Sequence, residues 1–325
     1  EYHIALDHLK KVTEIHKANG EEERYISALN NMGILYRKLG DYPKALECYQ
    51  KKLAYAKSKG NHTDLAELYN NIANLYSSYG DLDKARDYQF ISIEHRLQTE
   101  DDGVGLASNY NNLAMLYQKE KDHDSALYYY RRAFNIIPNK HVRLYGNLAN
   151  NLGTTFKDKG EEDSAFYYLK LSLHHRDSIE YFHGMAQSRN NLVSLYEKKG
   201  QSDVALQVAK EAYAIARKYQ YPDEEILAHQ NLANLFEAQQ KFEQSLFHLR
   251  RAEKIKDSIE NKDDVRKVAQ IEMKHKYAQE RLTDSIRQAK EDELLAIQSE
   301  AEKRKQRTSF WAARLIGILI LIIAL

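Results

Sequence analysis

Residues 69–85 of the chain read YNNIANLYSSYGDLDKA, and close variants of this phrase return five more times. Successive phrases are 40, 41, 39, 40 and 40 residues apart, measured between their second asparagines. These asparagines are Asn31, Asn71, Asn112, Asn151, Asn191 and Asn231. So constant an interval indicates a structural repeat, and periods in this range are typical of solenoids.

Each repeat predicts two antiparallel helices. Within the quoted phrase, four apolar residues follow the i, i+3, i+4, i+7 spacing of one helix face. They are Tyr69, Ile72, Ala73 and Tyr76. Gly80 can take the left-handed conformation that ends a helix, and Asp81 can cap the next one. Four-residue apolar steps, such as Ala45, Tyr49 and Leu53, predict the second helix.

Composition agrees with helix throughout, because the 325 residues include only 13 glycines and 3 prolines. The net charge of +1 gives no overall attraction to nucleic acid, so no nucleic-acid partner is expected for this region. The single cysteine, Cys48, excludes an internal disulfide and a zinc site built on thiolates. Its apolar helical setting predicts a small buried side chain rather than a reactive thiol.

No motif of this sequence indicates catalysis. The 13 histidines show no metal-ligand spacing, no HExxH sequence occurs, and no glycine-rich phosphate loop is present. Paired carboxylates such as Glu161 and Glu162 fall at predicted helix starts, where the helix dipole favours them. We therefore expect no enzyme activity, no metal and no cofactor in this region.

The repeat resembles the tetratricopeptide repeat (TPR), in a variant longer than the usual length of about 34 residues. The family's small residue appears as Gly33 and Gly153, whereas its tryptophan position holds other residues in every repeat. Its aromatic position holds Tyr36, Tyr76, Tyr117, Phe156, Tyr196 and Phe236. The resemblance implies an all-α solenoid, a right-handed superhelix of helix pairs with the first helices lining its concave surface. Residues 1–260 would form this array: the second helix of a truncated repeat at 1–19, then six helix pairs of about 40 residues.

A set of amide residues is predicted to lie on the first helices, opposite their packing face, and so to line the concave groove. This set is Asn31, Asn71, Asn74, Asn112, Asn147, Asn151, Gln187, Asn191, Asn231 and Asn234. Two interpretations stay open and are compatible. The asparagines can bond neighbouring helices and set the spacing of the stack, or they can hold the backbone of an extended peptide or protein segment. TPR proteins that hold peptides through such asparagines lend weight to the second interpretation.

After about residue 260 the repeat period ends. Residues 261–308 contain no glycine or proline and predict one long charged stalk helix. Its loose heptad leaves two interpretations, a solvated single helix or a dimeric coiled coil that would join two copies in a homodimer. Residues 309–325 become apolar and predict the start of a transmembrane helix whose second half would follow Leu325.

The junction, KDSIENKDDVRKVAQIEMKHKYAQE at residues 256–280, resembles that of bacterial TPR-containing membrane sensors. In those proteins a TPR array outside the membrane is joined to a cytoplasmic histidine kinase or DNA-binding regulator. The resemblance implies a single-pass protein of the bacterial inner membrane with a periplasmic array. This region would be its ligand-sensing input, which relays groove occupancy through the stalk to an output domain after Leu325. A histidine kinase there would make the full-length protein an enzyme.

The flank of the apolar segment favours a different topology. It is rich in basic residues: Lys303, Arg304, Lys305, Arg307 and Arg314. The positive-inside rule taken alone would place this flank, and the array with it, in the cytoplasm. The alternative function is therefore a membrane-anchored TPR adaptor or scaffold that faces the cytoplasm and relays no signal.

Overall fold

The computed structural model describes residues 2–99, 103–138 and 141–259, and the regular structure in these ranges is helical. The helices are α1 (Tyr2–Ala18), α2 (Glu22–Lys38), α3 (Tyr42–Lys59), α4 (His62–Tyr79), α5 (Leu82–Arg96), α6 (Val104–Lys119), α7 (His123–Ile136), α8 (Val142–Lys159), α9 (Glu162–Ser178), α10 (Phe182–Lys198), α11 (Ser202–Lys218) and α12 (Pro222–Ala238). Residues 242–259 are also helical and are called α13. The predicted all-α solenoid of helix pairs is thereby confirmed.

The turns between paired helices use the predicted glycine and aspartate. Gly80 ends α4 with a φ of 93°, in the left-handed region that glycine adopts without strain. The Asp81 carboxylate then accepts a hydrogen bond from the backbone N–H of Lys84 at 3.1 Å and caps α5. In the first repeat, Asp41 caps α3 in the same way, and Pro43 lies in the first turn of that helix. Local sequence therefore sets where each helix ends and the next begins.

Helices pair within each repeat through a buried face of small and aromatic residues. Tyr88 of α5 stacks with both Tyr69 and Tyr76 of α4, with ring centroids 6.1 and 5.3 Å apart. The partner helix approaches so closely at Gly33 that a Cβ there would lie 2.5 Å from Cε1 of the fully buried Tyr49. The small residues of the first helices thus serve the close packing that the sequence predicts.

The first helices of successive repeats also contact each other directly. Such contacts join α2 to α4, α4 to α6, α8 to α10, and α10 to α12. In the described ranges, the second helices of successive repeats have no comparable contacts. Because one row of helices is closer together than the other, the first helices form the inner row of the array.

The predicted stalk at residues 261–308 and the predicted transmembrane start at 309–325 lie outside the described residues. Within 2–99, 103–138 and 141–259, no helix combines the length and apolar character needed to cross a bilayer. The helix predicted at residues 1–19 is α1, which packs on α2.

Candidate functional site

The asparagine pairs form a row of hydrogen bonds along the inner helices. In each case the second asparagine of one repeat donates its Nδ2 to the Oδ1 of the first asparagine in the preceding repeat. The bonds are Asn71 to Asn30 (3.1 Å), Asn112 to Asn70 (2.8 Å), Asn151 to Asn111 (2.9 Å), Asn191 to Asn150 (3.2 Å) and Asn231 to Asn190 (3.3 Å). Adjacent residues on a helix point about 100° apart, so one asparagine faces the preceding repeat and the other the following repeat. We call these bonds the amide row.

The first asparagine of each pair is held by further contacts inside the stack. Oδ1 of Asn70 also accepts a hydrogen bond from Nε2 of the buried Gln89 at 3.2 Å. Asn190 is 5% exposed and donates its Nδ2 to the backbone oxygen and the carboxylate of Glu224, at 3.0 and 3.1 Å. These asparagines therefore satisfy buried polar groups between repeats, which is the stack-spacing role that the sequence left open.

The predicted groove residues differ in exposure. The second asparagines from Asn71 to Asn231 are half-buried, and so are Asn74, Asn147 and Gln187. Asn31 and Asn234 are exposed and lie in the first and last inner helices, α2 and α12. Neither of these two side chains makes a hydrogen bond within the described part of the chain.

The second asparagines retain hydrogen-bonding capacity. A carboxamide has two N–H donors and an oxygen that accepts twice. In Asn71, Asn151 and Asn191 the amide row uses one N–H, and Nδ2 of Asn231 donates to both the backbone oxygen and Oδ1 of Asn190. No described residue donates to Oδ1 of these four. Asn112 differs, because its Oδ1 accepts a hydrogen bond from Nδ2 of Asn111 at 3.3 Å. The row therefore orients a series of half-buried amides with free acceptor oxygens.

Sequence reasoning missed Arg176, the most extensively bonded side chain near this face. It lies on α9, is 2% exposed, and donates to five oxygen atoms. The acceptors are Oδ1 of Asn150 (3.1 Å), the backbone oxygen of Gly184 (2.9 Å), Oγ of Ser188 (2.7 Å), Oδ1 of Asn147 (2.9 Å) and Oε1 of Gln187 (3.0 Å). The repeat register carried only a weak signal, because the equivalent position holds arginine at Arg96 but alanine or isoleucine in three other repeats. These residues are Ala56, Ile137 and Ala216.

Burial changes the proton affinity of both ionisable groups near this cluster. It lowers the pKa of Arg176 to about 10, so the guanidinium still carries its charge at neutral pH. Burial also raises the pKa of Glu224, which favours its protonated form. Among the described residues, no carboxylate lies within ion-pairing distance of Arg176. The cluster is therefore positively charged in the interior of the array.

A second polar feature lies between α12 and α13. Nδ1 of His229 and Nδ1 of His248 are 2.8 Å apart, and His248 stacks on Phe236 with ring centroids 5.5 Å apart. Burial, followed by the neighbouring His248, lowers the pKa of His229 to about 4. In the ranges that the structure describes, no three His, Cys, Asp or Glu side chains are grouped so as to hold a metal ion.

Comparison with known proteins agrees with the helical architecture. The sequence profile of the tetratricopeptide repeat family matches residues 1–58, 24–89, 105–178 and 180–258, which is more than half of the chain. The chain belongs to this family. No curated protein matches the sequence.

Solved structures with this fold come from several kinds of protein. BtubC (BKLC) from P. vanneervenii is 20% identical, with a TM-score of 0.60 over 68% of this chain and 92% of that chain. The apo form of RapI is 14% identical, with a TM-score of 0.56 over 73% of this chain and 99% of that chain. A signal transduction ATPase with a tetratricopeptide repeat sensor, from Pyrococcus horikoshii, is 14% identical, with a TM-score of 0.61 over 75% of this chain and 38% of that chain.

At these identities the likeness shows the fold alone. The array is a TPR solenoid, a fold of protein-interaction scaffolds. The protein-interaction part of the prediction is thereby confirmed at the level of the fold.

Proposed function

We propose that the inner row of helices binds an extended peptide or protein segment along the amide row. The observation that carries this proposal is the series of half-buried second asparagines whose oxygens accept no hydrogen bond from a described residue. Such an oxygen and the remaining N–H match the donor and acceptor of a peptide backbone. Recognition of this kind depends little on the side chains of the ligand.

The amide row also lowers the cost of binding. Asn151 is held by its bond to Asn111, and Asn191 by its bond to Asn150. Side chains that are already held in one orientation lose less conformational entropy when a ligand contacts them. A scaffold role and a binding role therefore reinforce each other on the same residues.

The test measures peptide binding to a variant that lacks three of the second asparagines with free acceptor oxygens, Asn71→Ala/Asn151→Ala/Asn191→Ala. The probe is a library of amidated dodecamer peptides, which is screened against the TPR array (residues 1–260). Binders are then titrated by fluorescence anisotropy. We expect binders of the unaltered array to lose affinity by about tenfold or more, because several backbone hydrogen bonds are lost together. Circular dichroism establishes that the variant is helical at the assay temperature.

The matched control removes three amides from the outer helices. Gln50, Asn135 and Gln207 are exposed residues of α3, α7 and α11, and the control variant carries alanine at all three. We expect it to bind as the unaltered array does. Equal affinity of the folded inner-row variant and the control would refute peptide binding along the amide row.

We further propose that the array is the input region of a single-pass membrane signalling protein. The order of array, charged segment and apolar segment in the sequence supports this, as does the resemblance of the junction at 256–280 to membrane sensors. Residues 261–308 would act as the stalk and 309–325 as the start of the membrane helix. A ligand then changes signalling only if it binds one state of the array more tightly than the other.

The alternative is an adaptor that faces the cytoplasm, which the basic flank from Lys303 to Arg314 favours. The gene sequence after Leu325 discriminates the two: a kinase or DNA-binding domain supports the sensor, and a stop codon within about ten residues supports the anchor, since a span needs about 20 apolar residues. Alkaline phosphatase and green fluorescent protein fused before residue 1 report the topology. Activity of the phosphatase fusion alone would support the periplasmic sensor, and fluorescence alone the cytoplasmic adaptor.

A further inference from the structure

Arg176 brings two of the predicted groove residues together. One of its terminal nitrogens donates to Oδ1 of Asn147 at 2.9 Å and to Oε1 of Gln187 at 3.0 Å. Asn147 lies on α8 and Gln187 on α10, which are successive inner helices. Since both oxygens contact the same nitrogen, the two carboxamides lie side by side.

This contact determines which atoms the two amides offer to a ligand. Each oxygen accepts a hydrogen bond from the guanidinium, which fixes the oxygen of the amide towards Arg176 and leaves the NH2 group as the other polar end. Neither NH2 group donates to a described residue, and both side chains are half-buried rather than covered. The pair therefore presents two NH2 groups that donate to no described residue, whereas the second asparagines donate theirs within the amide row.

The surrounding charges add to this donor character. Arg176 faces no described carboxylate within ion-pairing distance, and a second guanidinium, of Arg143, lies 4.5 Å from the ring of Tyr181. The guanidinium of Arg176 lies 5.9 Å from the same ring. Asp177, the next residue in the sequence, and Glu211 both pair with Arg189, at 3.2 and 3.1 Å. The acidic group whose charge acts on Arg176 is Glu224. Buried Glu224 has a raised pKa, as described above.

A cavity of about 450 Å³ opens beside Asn147. Its lining combines polar and apolar residues: His141, Val142, Arg143, Leu144, Asn147 and Ile179. The apolar members can contact the methylene groups of an incoming side chain, and Arg143 and Asn147 can contact its polar end. A side chain with a short aliphatic stem and an anionic end matches this lining.

We propose that Asn147 and Gln187, oriented and polarised by Arg176, form a subsite that binds the carboxylate of a glutamate or aspartate side chain in the bound peptide. The inference rests on the proposed function and adds a side-chain preference at one position of the ligand. Arg176 acts as a positioning residue, because its terminal N–H groups are already donated and it reaches the ligand through the two amides. Donors that are fixed before binding and backed by a buried cation favour an anion over a neutral amide.

The test uses substitutions that exchange a donor for an acceptor at almost constant size. Gln187→Glu replaces the NH2 group with a carboxylate oxygen and can pair with Arg176, so the fold is retained. Asn147→Asp does the same on α8. Gln50→Glu, at an exposed position of α3, makes the identical change of atoms and charge outside the inner row.

The probe is a positional-scanning set of acetylated and amidated dodecamer peptides, in which each position of a selected binder is changed to Glu, Gln or Lys. For the unaltered array and Gln50→Glu, we expect one position where Glu binds about tenfold more tightly than Gln, the magnitude of one charge-assisted contact. For Gln187→Glu and Asn147→Asp, we expect this ratio to fall to one or below, with Lys preferred at that position.

The outcomes separate the subsite from the function. Peptide binding without any position that prefers Glu, or a preference that survives Gln187→Glu, would overturn the subsite and leave peptide binding intact. Absence of any peptide binder would overturn both. Affinity that depends on a free C-terminus, tested with the same peptides made without amidation, would overturn the assignment to a side chain.

Discussion

Nδ2 of Asn112 lies 2.8 Å from Oδ1 of Asn70, so a hydrogen bond joins the inner helices α6 and α4 directly. The same bond recurs four more times along the array. Asparagine disfavours helix compared with lysine or glutamate, and these bonds account for its use at every repeat. Each bond connects only neighbouring repeats, which makes its contribution measurable one step at a time.

The first prediction concerns the acceptor of this bond. Asn70→Ala removes the acceptor of Asn112 and one of the two acceptors of Nε2 of the fully buried Gln89, which keeps its bond to the backbone oxygen of Asn109. We expect the free energy of unfolding to fall by about 1–2 kcal/mol, although alanine favours helix. Urea denaturation followed by circular dichroism measures the change. Asn234→Ala, at an exposed residue of α12, is the control and is expected to change stability by less than about 0.5 kcal/mol.

The second prediction concerns the close approach of α2 and α3. Gly33→Ala places a methyl group 2.5 Å from Cε1 of Tyr49, which is fully buried and cannot move without disturbing its neighbours. We expect a loss of about 1–3 kcal/mol from overpacking, larger than the gain in helix propensity. Thermal and urea unfolding both report it. An unchanged or raised melting temperature would show that the ring of Tyr49 relaxes at little cost.

The third prediction concerns pH. Burial depresses the pKa of His229 from 6.5 to about 4 in the folded chain, so the unfolded chain binds its proton more readily. Stability is therefore expected to fall as the pH decreases from about 6.5 to about 4, and this group adds no slope at higher pH. His229→Tyr places there the residue found at the equivalent position Tyr69. The variant should show a shallower loss of unfolding free energy between pH 7 and pH 4, and parallel curves would contradict the assignment.

The fourth prediction concerns Cys48. The thiol is 6% exposed, and burial raises its pKa to about 11 from 9.0. Because the thiolate is the reactive form, labelling by a disulfide reagent at pH 8 should be about a hundredfold slower in the folded chain than in urea. Absorbance of the released thiolate follows the reaction. Equal rates in the two conditions would show that α3 opens on the timescale of labelling.

Much of the fold was predictable because it depends on local and periodic signals. The spacing of Asn31 to Asn231 gave the repeat, and Gly80 with Asp81 gave a helix boundary that the structure reproduces. The inner position of the second asparagines followed from helix geometry and from the family resemblance. These features need no knowledge of which residues meet across repeats.

The partners of the asparagines could not be predicted in the same way. A single repeat does not show that Asn70 faces forward along the array while Asn71 faces backward, since that depends on the angle between successive repeats. Arg176 was harder still, because its role arises from residues of α8 and α10 that meet only after stacking. Arginine at the equivalent position Arg96 shows that the residue type alone does not mark the cluster.

The direct contacts between successive inner helices have a consequence for how the array opens. Since each repeat contacts only its neighbours, the outer described repeats can unfold locally while the middle repeats remain folded. Amide hydrogen exchange should then show protection that rises gradually from α2 and α12 towards α6 and α8, rather than one uniform value. Because the coupling is between nearest neighbours, a bound segment that contacts several repeats would raise the free energy needed to separate each of them from the next.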